Sequence, residues 1–133
     1  MRAEKAINAL LNAAAGVIAL VPAGPYPGIV PQAAALPALA VEHVSSAELT
    51  TIDANAAFGL VQSRIQVTAI AKTYPEVKAL IEQVRIACNY QRGVLDGVRV
   101  VSVIRDNLGP DQRDDDRQLY SQSIDFQVTF QEP

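Results

Sequence analysis

The stretch that decides the fold is Leu119-Tyr-Ser-Gln-Ser-Ile-Asp-Phe-Gln-Val-Thr-Phe130. Its side chains alternate along the chain between an apolar and a polar set. The apolar set is Tyr120, Ile124, Phe126, Val128 and Phe130, and the polar set is Ser121, Ser123, Asp125, Gln127 and Thr129. A period of two is typical of a strand with one buried face and one wet face. We therefore predict a long strand that packs one face on a core.

A second segment, Gln62 to Lys72, alternates in the same way. Together the two segments predict a sheet with a polar face, formed by Gln62, Arg64, Gln66, Thr68, Ser123, Asp125 and Gln127. Two interpretations remain open. The polar face is either exposed to solvent, or it is a hydrated interface with other subunits or with a partner protein.

The remaining elements are predicted from turn residues, caps and periodicity. In the first half of the chain we expect a helix from Ala3 to Val17, a Pro/Gly connection over 22–31, a strand over 38–45 and a loop over 46–58. A strand over 60–72 follows, and then a helix from Thr73 to Arg92-Gly93 that begins with a capping box at Thr73 and Glu76. The last predicted elements before the final strand are a strand over 97–105 and a polar turn over 107–117. This order predicts a single α+β domain over 1–133. Its sheet is mostly antiparallel, with about four to five strands and two helices packed on one face.

Composition narrows the class of protein. Half of the 133 residues are apolar, 19% are charged, and the net charge is −3. Such a chain can form a core, and its charge disfavours an autonomous nucleic-acid binder. Because Cys88 is the single cysteine, an internal disulfide is excluded and a reducing cytoplasm is expected.

The apolar N-terminal run, Ala6 to Val21, loosely resembles a secretory signal. The helical spacing of Ile7, Leu10 and Leu11 favours a packed amphipathic helix instead. Polar residues interrupt the run too often for a membrane span, so no membrane association is expected.

Candidate catalytic residues are few. His43 is the single histidine, and a nucleophilic role would require it to meet Cys88. Cys88 falls on the apolar stripe of the second helix, where a buried thiol is expected. Structural roles for both residues are favoured. We predict no catalytic residue, metal site or cofactor.

The densest charge cluster contains Asp111, Arg113, Asp114, Asp115, Asp116 and Arg117. Its spacing does not fit a calcium-binding loop, because the glycine expected at the sixth position is Asp116. One interpretation is a solvated hairpin tip. The other is an acidic loop that docks on a basic neighbour, or that faces a channel that must not hold DNA.

Three parts of the chain carry a resemblance to a known family. They are the Leu36-Pro-Ala-Leu-Ala-Val41 strand start, the strand-to-helix segment from Arg64 to Glu82, and the final segment Leu119–Phe130. Together they resemble the small tail terminator, or tail-completion (tail-to-head joining), proteins of long-tailed bacteriophages and gene transfer agents. The likeness covers most of the chain.

The resemblance implies a non-enzymatic virion protein of the neck, assembled in the host cytoplasm. It implies a homo-oligomeric ring, usually of six subunits, that caps the tail tube and stops its polymerisation. The tail tube protein and the head–tail connector or stopper protein would be its partners, and DNA would pass through without specific binding. Two alternatives stay open: another connector or assembly factor of the same particle, or a small cytoplasmic α+β enzyme or ligand-binding module with a pocket near His43 or the 111–116 run.

Overall fold

Three helices and seven strands make up the part of the chain that the computed structural model describes, residues 2–31, 34–49 and 59–132. In chain order they are α1 (Arg2–Ala13), α2 (Ala15–Leu20), β1 (Tyr26–Pro27), β2 (Ala38–Leu49), β3 (Gly59–Ala71), α3 (Tyr74–Cys88), β4 (Gln91–Leu95), β5 (Val98–Leu108), β6 (Gln112–Asp114) and β7 (Leu119–Glu132).

All seven strands belong to one sheet with the order β1-β2-β3-β7-β5-β4, and β6 pairs with the first residues of β7. The pair β1–β2 is parallel and every other pair is antiparallel. The two strands with the strongest alternation, β3 and β7, pair along their whole length at the centre. Their pairing sets Ile65 opposite Phe126 and Val67 opposite Ile124, so the apolar positions of both strands share one face.

The helices cover that apolar face. Helix α1 buries Ile7 and Leu11, and α3 buries Leu80 and Val84 in the same core. Phe126 has no exposed surface and is the largest fully buried side chain. The opposite face of β3 and β7 carries no helix in the described residues, and we call it the open face.

The single-domain, mostly antiparallel α+β class is confirmed, but the predicted numbers of strands and helices are wrong. The sheet has seven strands because two very short strands, β1 and β6, and the glycine-containing β4 join it. The predicted first helix is two helices, because Ala14 is extended between α1 and α2. The change of direction places Val17 in the core.

Several element boundaries also differ. Strand β2 continues to Leu49, because residues 45–49 pair with the start of β3; residues 50–58 of the predicted loop lie outside the described residues. Helix α3 ends at Cys88 instead of Arg92-Gly93, since Tyr90 turns at φ +62° and its N–H donates to Val103 at 2.7 Å. The predicted turn over 107–117 contains the end of β5 and all of β6.

The predicted cap of α3 is correct in its residues but not in its hydrogen bonds. Thr73 is the N-cap residue, but its hydroxyl makes no bond to the helix backbone. It donates instead to the Glu76 carboxylate at 2.8 Å. The two side chains of the predicted capping box therefore bind each other.

Candidate interaction surface

All seven residues of the predicted polar face lie together on the open face of β3 and β7. The strand register places Arg64 opposite Gln127, Gln66 opposite Asp125 and Thr68 opposite Ser123. Gln62, at the next open-face position of β3 before Arg64, lies opposite Thr129. Sequence alternation alone predicted this shared face, because equal phase in two antiparallel strands places side chains on the same side.

Arg64 is the centre of a charged network on this face. Its Nε donates to Asp125 Oδ2 at 2.9 Å, and its Nη2 lies 3.0 Å from Asp106 Oδ2. Gln127 Nε2 donates to the same Asp106 oxygen at 3.3 Å. Asp106 is an extra residue in β5, at a shift of register between Arg105 and Asn107. Such a bulge re-aims a side chain, and here it completes the network.

A second polar contact on the same face joins the later part of β3 to the early part of β7. The hydroxyls of Thr68 and Ser123 are 2.9 Å apart and form one hydrogen bond. The charges at the centre of the polar face and this pair of hydroxyls are therefore satisfied within the chain. Such a satisfied surface can face solvent or form a hydrated contact without leaving charges unpaired.

The acidic segment is attached to the helical layer at its first residue. Asp111 accepts hydrogen bonds from Lys78 and, at 3.0 Å, from the Tyr74 hydroxyl, both on α3. The hydrogen bond from Lys78 lowers the pKa of Asp111, and the same bond raises the pKa of Lys78. Lys78 also donates to Gln122 at 3.0 Å, and Gln122 donates to the Gly109 carbonyl at 2.9 Å.

The rest of the segment forms an exposed hairpin tip between β6 and β7. Asp114 Oδ1 accepts from the backbone N–H groups of Asp116 and Arg117 at 3.1 and 3.3 Å. Arg113 lies 3.2 Å from Asp115, and Arg117 lies 4.0 Å from Asp114. The tip thus has the hairpin form that we predicted, and the charges of Arg113 and Arg117 are offset locally.

His43 contacts serine side chains rather than Cys88. Its Nε2 lies 2.6 Å from Ser46 Oγ, which lies 2.7 Å from Ser63 Oγ. These groups border a cavity of about 580 Å³ beside the start of α1, lined by Arg2, Ala3, Glu4, His43, Ser46, Glu48, Val61, Ser63 and Phe130. The cavity is the kind of polar pocket near His43 that the enzyme or ligand-binding alternative requires.

Cys88 lies in the core on α3 and has no exposed surface. Burial raises the pKa of its thiol to about 12. The thiol is therefore protonated and inaccessible at neutral pH, which excludes it as a nucleophile in the folded chain.

Sequence reasoning missed several residues. Ser63 and Gln122 occupy apolar-phase positions of β3 and β7, and a polar residue at such a position was the available signal. Ser46 gave no signal, because it was assigned to a loop. The exposed apolar side chains Val94, Val101 and Ile104 of β4 and β5 gave a weak signal, since apolar residues occur in both phases there.

Two further findings concern the described part of the chain. Within residues 2–31, 34–49 and 59–132, no helix is long and apolar enough to cross a membrane. In the same ranges, His, Cys, Asp and Glu side chains form no group of three or more that could hold a metal ion.

Comparison with known proteins gives one family and one fold. The family model described as "Tail completion protein gp17" matches residues 5–131. A chain of the structure titled "Virion of native gene transfer agent (GTA) particle" is similar in fold, with a TM-score of 0.68 and 19% sequence identity. The similarity covers 97% of this chain and 94% of that chain. No curated protein matches the sequence.

Proposed function

This chain belongs to the tail completion protein gp17 family and is a structural protein of the bacteriophage tail, and we propose that it acts as the tail terminator. In this role, copies form a ring of six subunits that caps the tail tube and stops its polymerisation. The ring then joins the tail to the head connector or stopper protein. The family match over residues 5–131 is the observation that carries the proposal.

The shape of the subunit supports a ring. Cyclic rings use a heterologous contact, in which two different surfaces of each copy meet. One broad sheet covered by helices on one side presents an open face and two edges for such contacts. The overall charge of −3 favours a channel through which DNA passes without being held. Basic side chains around the bore would contradict this last step.

We propose the polar face as a hydrated contact surface for neighbouring copies or for the tail tube protein. Its candidate residues are Gln62, Arg64, Gln66, Thr68, Ser123, Asp125 and Gln127. Arg64→Glu alone is a poor test, because it adds a third carboxylate beside Asp106 and Asp125 and so weakens the fold.

Gln66→Arg is a sharper test of the polar face. Gln66 lies between Glu42 and Asp125 in the strand register, so an arginine there is tolerated electrostatically. We expect normal folding and impaired assembly. Ala79→Arg, on the exposed side of α3, adds the same charge to the helical layer and should assemble normally. Normal assembly of Gln66→Arg would mean that the face is only solvated.

The hairpin tip is proposed as a docking or channel loop. Its candidate residues are Asp111, Arg113, Asp114, Asp115, Asp116 and Arg117. Asp115→Lys changes the tip charge by two and leaves the Asp111 contacts with α3 in place. We expect weaker attachment to the tail tube or the head connector, with unchanged unfolding of the isolated chain. Unchanged attachment would assign the tip to solvent.

The proposed function is tested by assembly. Native mass measurement and negative-stain imaging of the purified chain, alone and with tail tubes, should show a closed multimer and tubes capped at one end. Capped tubes should stop elongating when fresh tube protein is added. A monomer that never associates with tubes overturns the proposal. A chain that binds the head connector but leaves tubes uncapped favours another connector role.

One observation supports a second candidate, a ligand-binding or hydrolytic role. His43, Ser46 and Ser63 form a hydrogen-bonded series beside an open cavity. A serine nucleophile needs such a base and a further group that orients the imidazole. We nevertheless favour the structural role and propose that the chain has no catalytic activity. Labelling by a fluorophosphonate probe that is lost in Ser46→Ala and in His43→Ala would contradict this proposal.

A further inference from the structure

We propose that copies of this chain join edge to edge, with β4 of one copy set against residues 46–49 of β2 in the next. This inference rests on the proposed ring and names the surfaces that close it. The occupant of each edge is therefore a second copy of the chain. Four observations support the contact: open strand edges, their equal height, exposed apolar side chains, and opposite charges.

Both edges have unpaired backbone in the part of the chain that the structure describes. Strand β1 pairs with β2 only at Ala40 and Val41, so residues 42–49 pair with β3 alone. On the other side of the sheet, β4 pairs with β5 alone. Open strand edges readily pair with another chain, because their N–H and C=O groups lack partners.

The two edges also lie at the same height, where height is the position along the strand direction. Glu48 is level with Gly93 through the paired residues Val61, Phe130 and Val100. Four successive antiparallel pairings make β2 and β4 run in the same direction. A closed ring has no translation along its axis, so edges at equal height can meet without offset. The junction would be parallel.

Apolar side chains lie exposed at both edges. Val94 of β4 is 66% exposed, and Val101 beside it in β5 is 46% exposed. On β2, Ala47 is exposed and lies opposite Gln62, on the open face. A contact between the two edges would remove these groups from water, which favours association.

Charges at the two edges are opposite in sign. Arg92 and Arg99 lie exposed on β4 and β5, and Glu48 lies exposed on β2. None of the three forms an ion pair within residues 2–31, 34–49 and 59–132. The centre of the open face differs, since its charges are paired within the chain. Complementary edge charges would steer copies into a head-to-tail arrangement and oppose contacts between like edges.

Cross-linking tests the contact directly. Because Cys88 is buried with a raised pKa, an introduced cysteine is the one reactive thiol of the folded chain. Val94→Cys and Ala47→Cys are prepared separately, mixed under conditions of assembly, and treated with a short bismaleimide. We expect a covalent dimer in the mixture and none with either variant alone, because like edges do not meet.

A matched control uses Ile86→Cys, which is exposed on α3 in the helical layer rather than on a strand edge. Mixed with Val94→Cys, it should give no dimer. A multimer that forms without the cross-link between Val94→Cys and Ala47→Cys overturns the edge contact and leaves the proposed ring standing. Absence of any multimer, with or without tail tubes, overturns the proposed function and this inference with it.

A charge at the β4 edge provides an independent test. Val94→Glu should keep the melting temperature of the chain and abolish the multimer, because a carboxylate at this edge opposes strand pairing and is repelled by the acidic β2 edge. Ile86→Glu should retain both. A Val94→Glu chain that assembles like the unmodified chain would contradict the edge contact even if the ring itself forms.

Discussion

The centre and the edges of the sheet differ in how far the chain satisfies its own surface. At the centre, β3 and β7 bury apolar side chains under the helices, and on the open face Arg64 pairs with Asp125 and Asp106. At the edges, Val94, Val101 and Arg99 are exposed, and the backbone of β4 pairs on one side. Alternation of polar and apolar residues therefore predicts where a strand is half buried. It does not predict which polar groups are left unpaired for contact with another chain.

The largest expected effect lies at the centre. Phe126→Ala removes a fully buried ring from β7 and should lower the free energy of unfolding by about 3–5 kcal/mol. Denaturant unfolding followed by far-UV circular dichroism measures this loss. At the edge, Val94→Ala should change the free energy of unfolding of the isolated chain by less than about 0.5 kcal/mol.

Two isoleucines provide a matched control for this comparison. Ile124 is fully buried on β7, and Ile104 is half-exposed on β5. Ile124→Ala should cost about 2–5 kcal/mol, and Ile104→Ala should cost much less because it leaves a smaller cavity. Equal losses in the two variants would mean that the open face is covered within the monomer.

The buried half of the fold could be predicted from the sequence, because it depends on local periodicity. The apolar phases of β3 and β7 and the stripe Val77, Leu80, Ile81 and Val84 of α3 were all predicted, and all are buried except Tyr120, which is half-buried. The short strand β6 could not be predicted, since three residues carry no period. It forms through the hairpin that pairs it with the first residues of β7.

The candidate surface was predictable only in part, for the same reason. The alternation placed Arg64 and Asp125 on one face, but the third member of their network, Asp106, fell between the predicted strand over 97–105 and the predicted turn over 107–117. Its position depends on β5 lying beside β7 and on a bulge within β5. Likewise, the contact of Asp111 with Lys78 requires β6 to return to α3, which no local pattern reveals.

The next effect in size, below those of the core variants, concerns the charged network. Arg64→Ala removes the donor to Asp125, whose side chain is only 12% exposed, and should lower the free energy of unfolding by about 1–3 kcal/mol. Arg99→Ala is the matched edge variant, and because Arg99 is exposed its cost should stay below about 0.5 kcal/mol. Thermal or denaturant unfolding of both variants measures the difference.

A double-mutant cycle separates the ion pair from other roles of Arg64. The cycle Arg64→Ala with Asp125→Asn should give a coupling energy of about 1 kcal/mol. The exposed pair Arg85 and Glu82 on α3 should give a smaller coupling energy, because solvent screens it. If both cycles give the same small value, the network at the centre is no stronger than an ordinary surface pair.

A smaller effect is expected at the hydroxyl pair of the open face. Thr68→Val leaves Ser123 without its partner at 2.9 Å and should cost about 1 kcal/mol. The double variant with Ser123→Ala should recover part of this loss, because no hydroxyl is then left unpaired. Additive losses in the double variant would show that water already satisfies both hydroxyls.

The smallest effect depends on pH and concerns the anchor of β6. The hydrogen bond from Lys78 lowers the pKa of Asp111, so the folded chain binds the Asp111 proton less readily than the unfolded chain. Stability from this contact is therefore fully present above the ordinary carboxyl pKa of about 4 and is lost as pH falls through the lower folded value. Because the pair is exposed, the loss should be slight.

Unfolding curves between about pH 2 and pH 6 should show a shallower acid dependence in Asp111→Asn than in the unmodified chain. Parallel curves for the two chains would mean that β6 is as loosely held as the open edges.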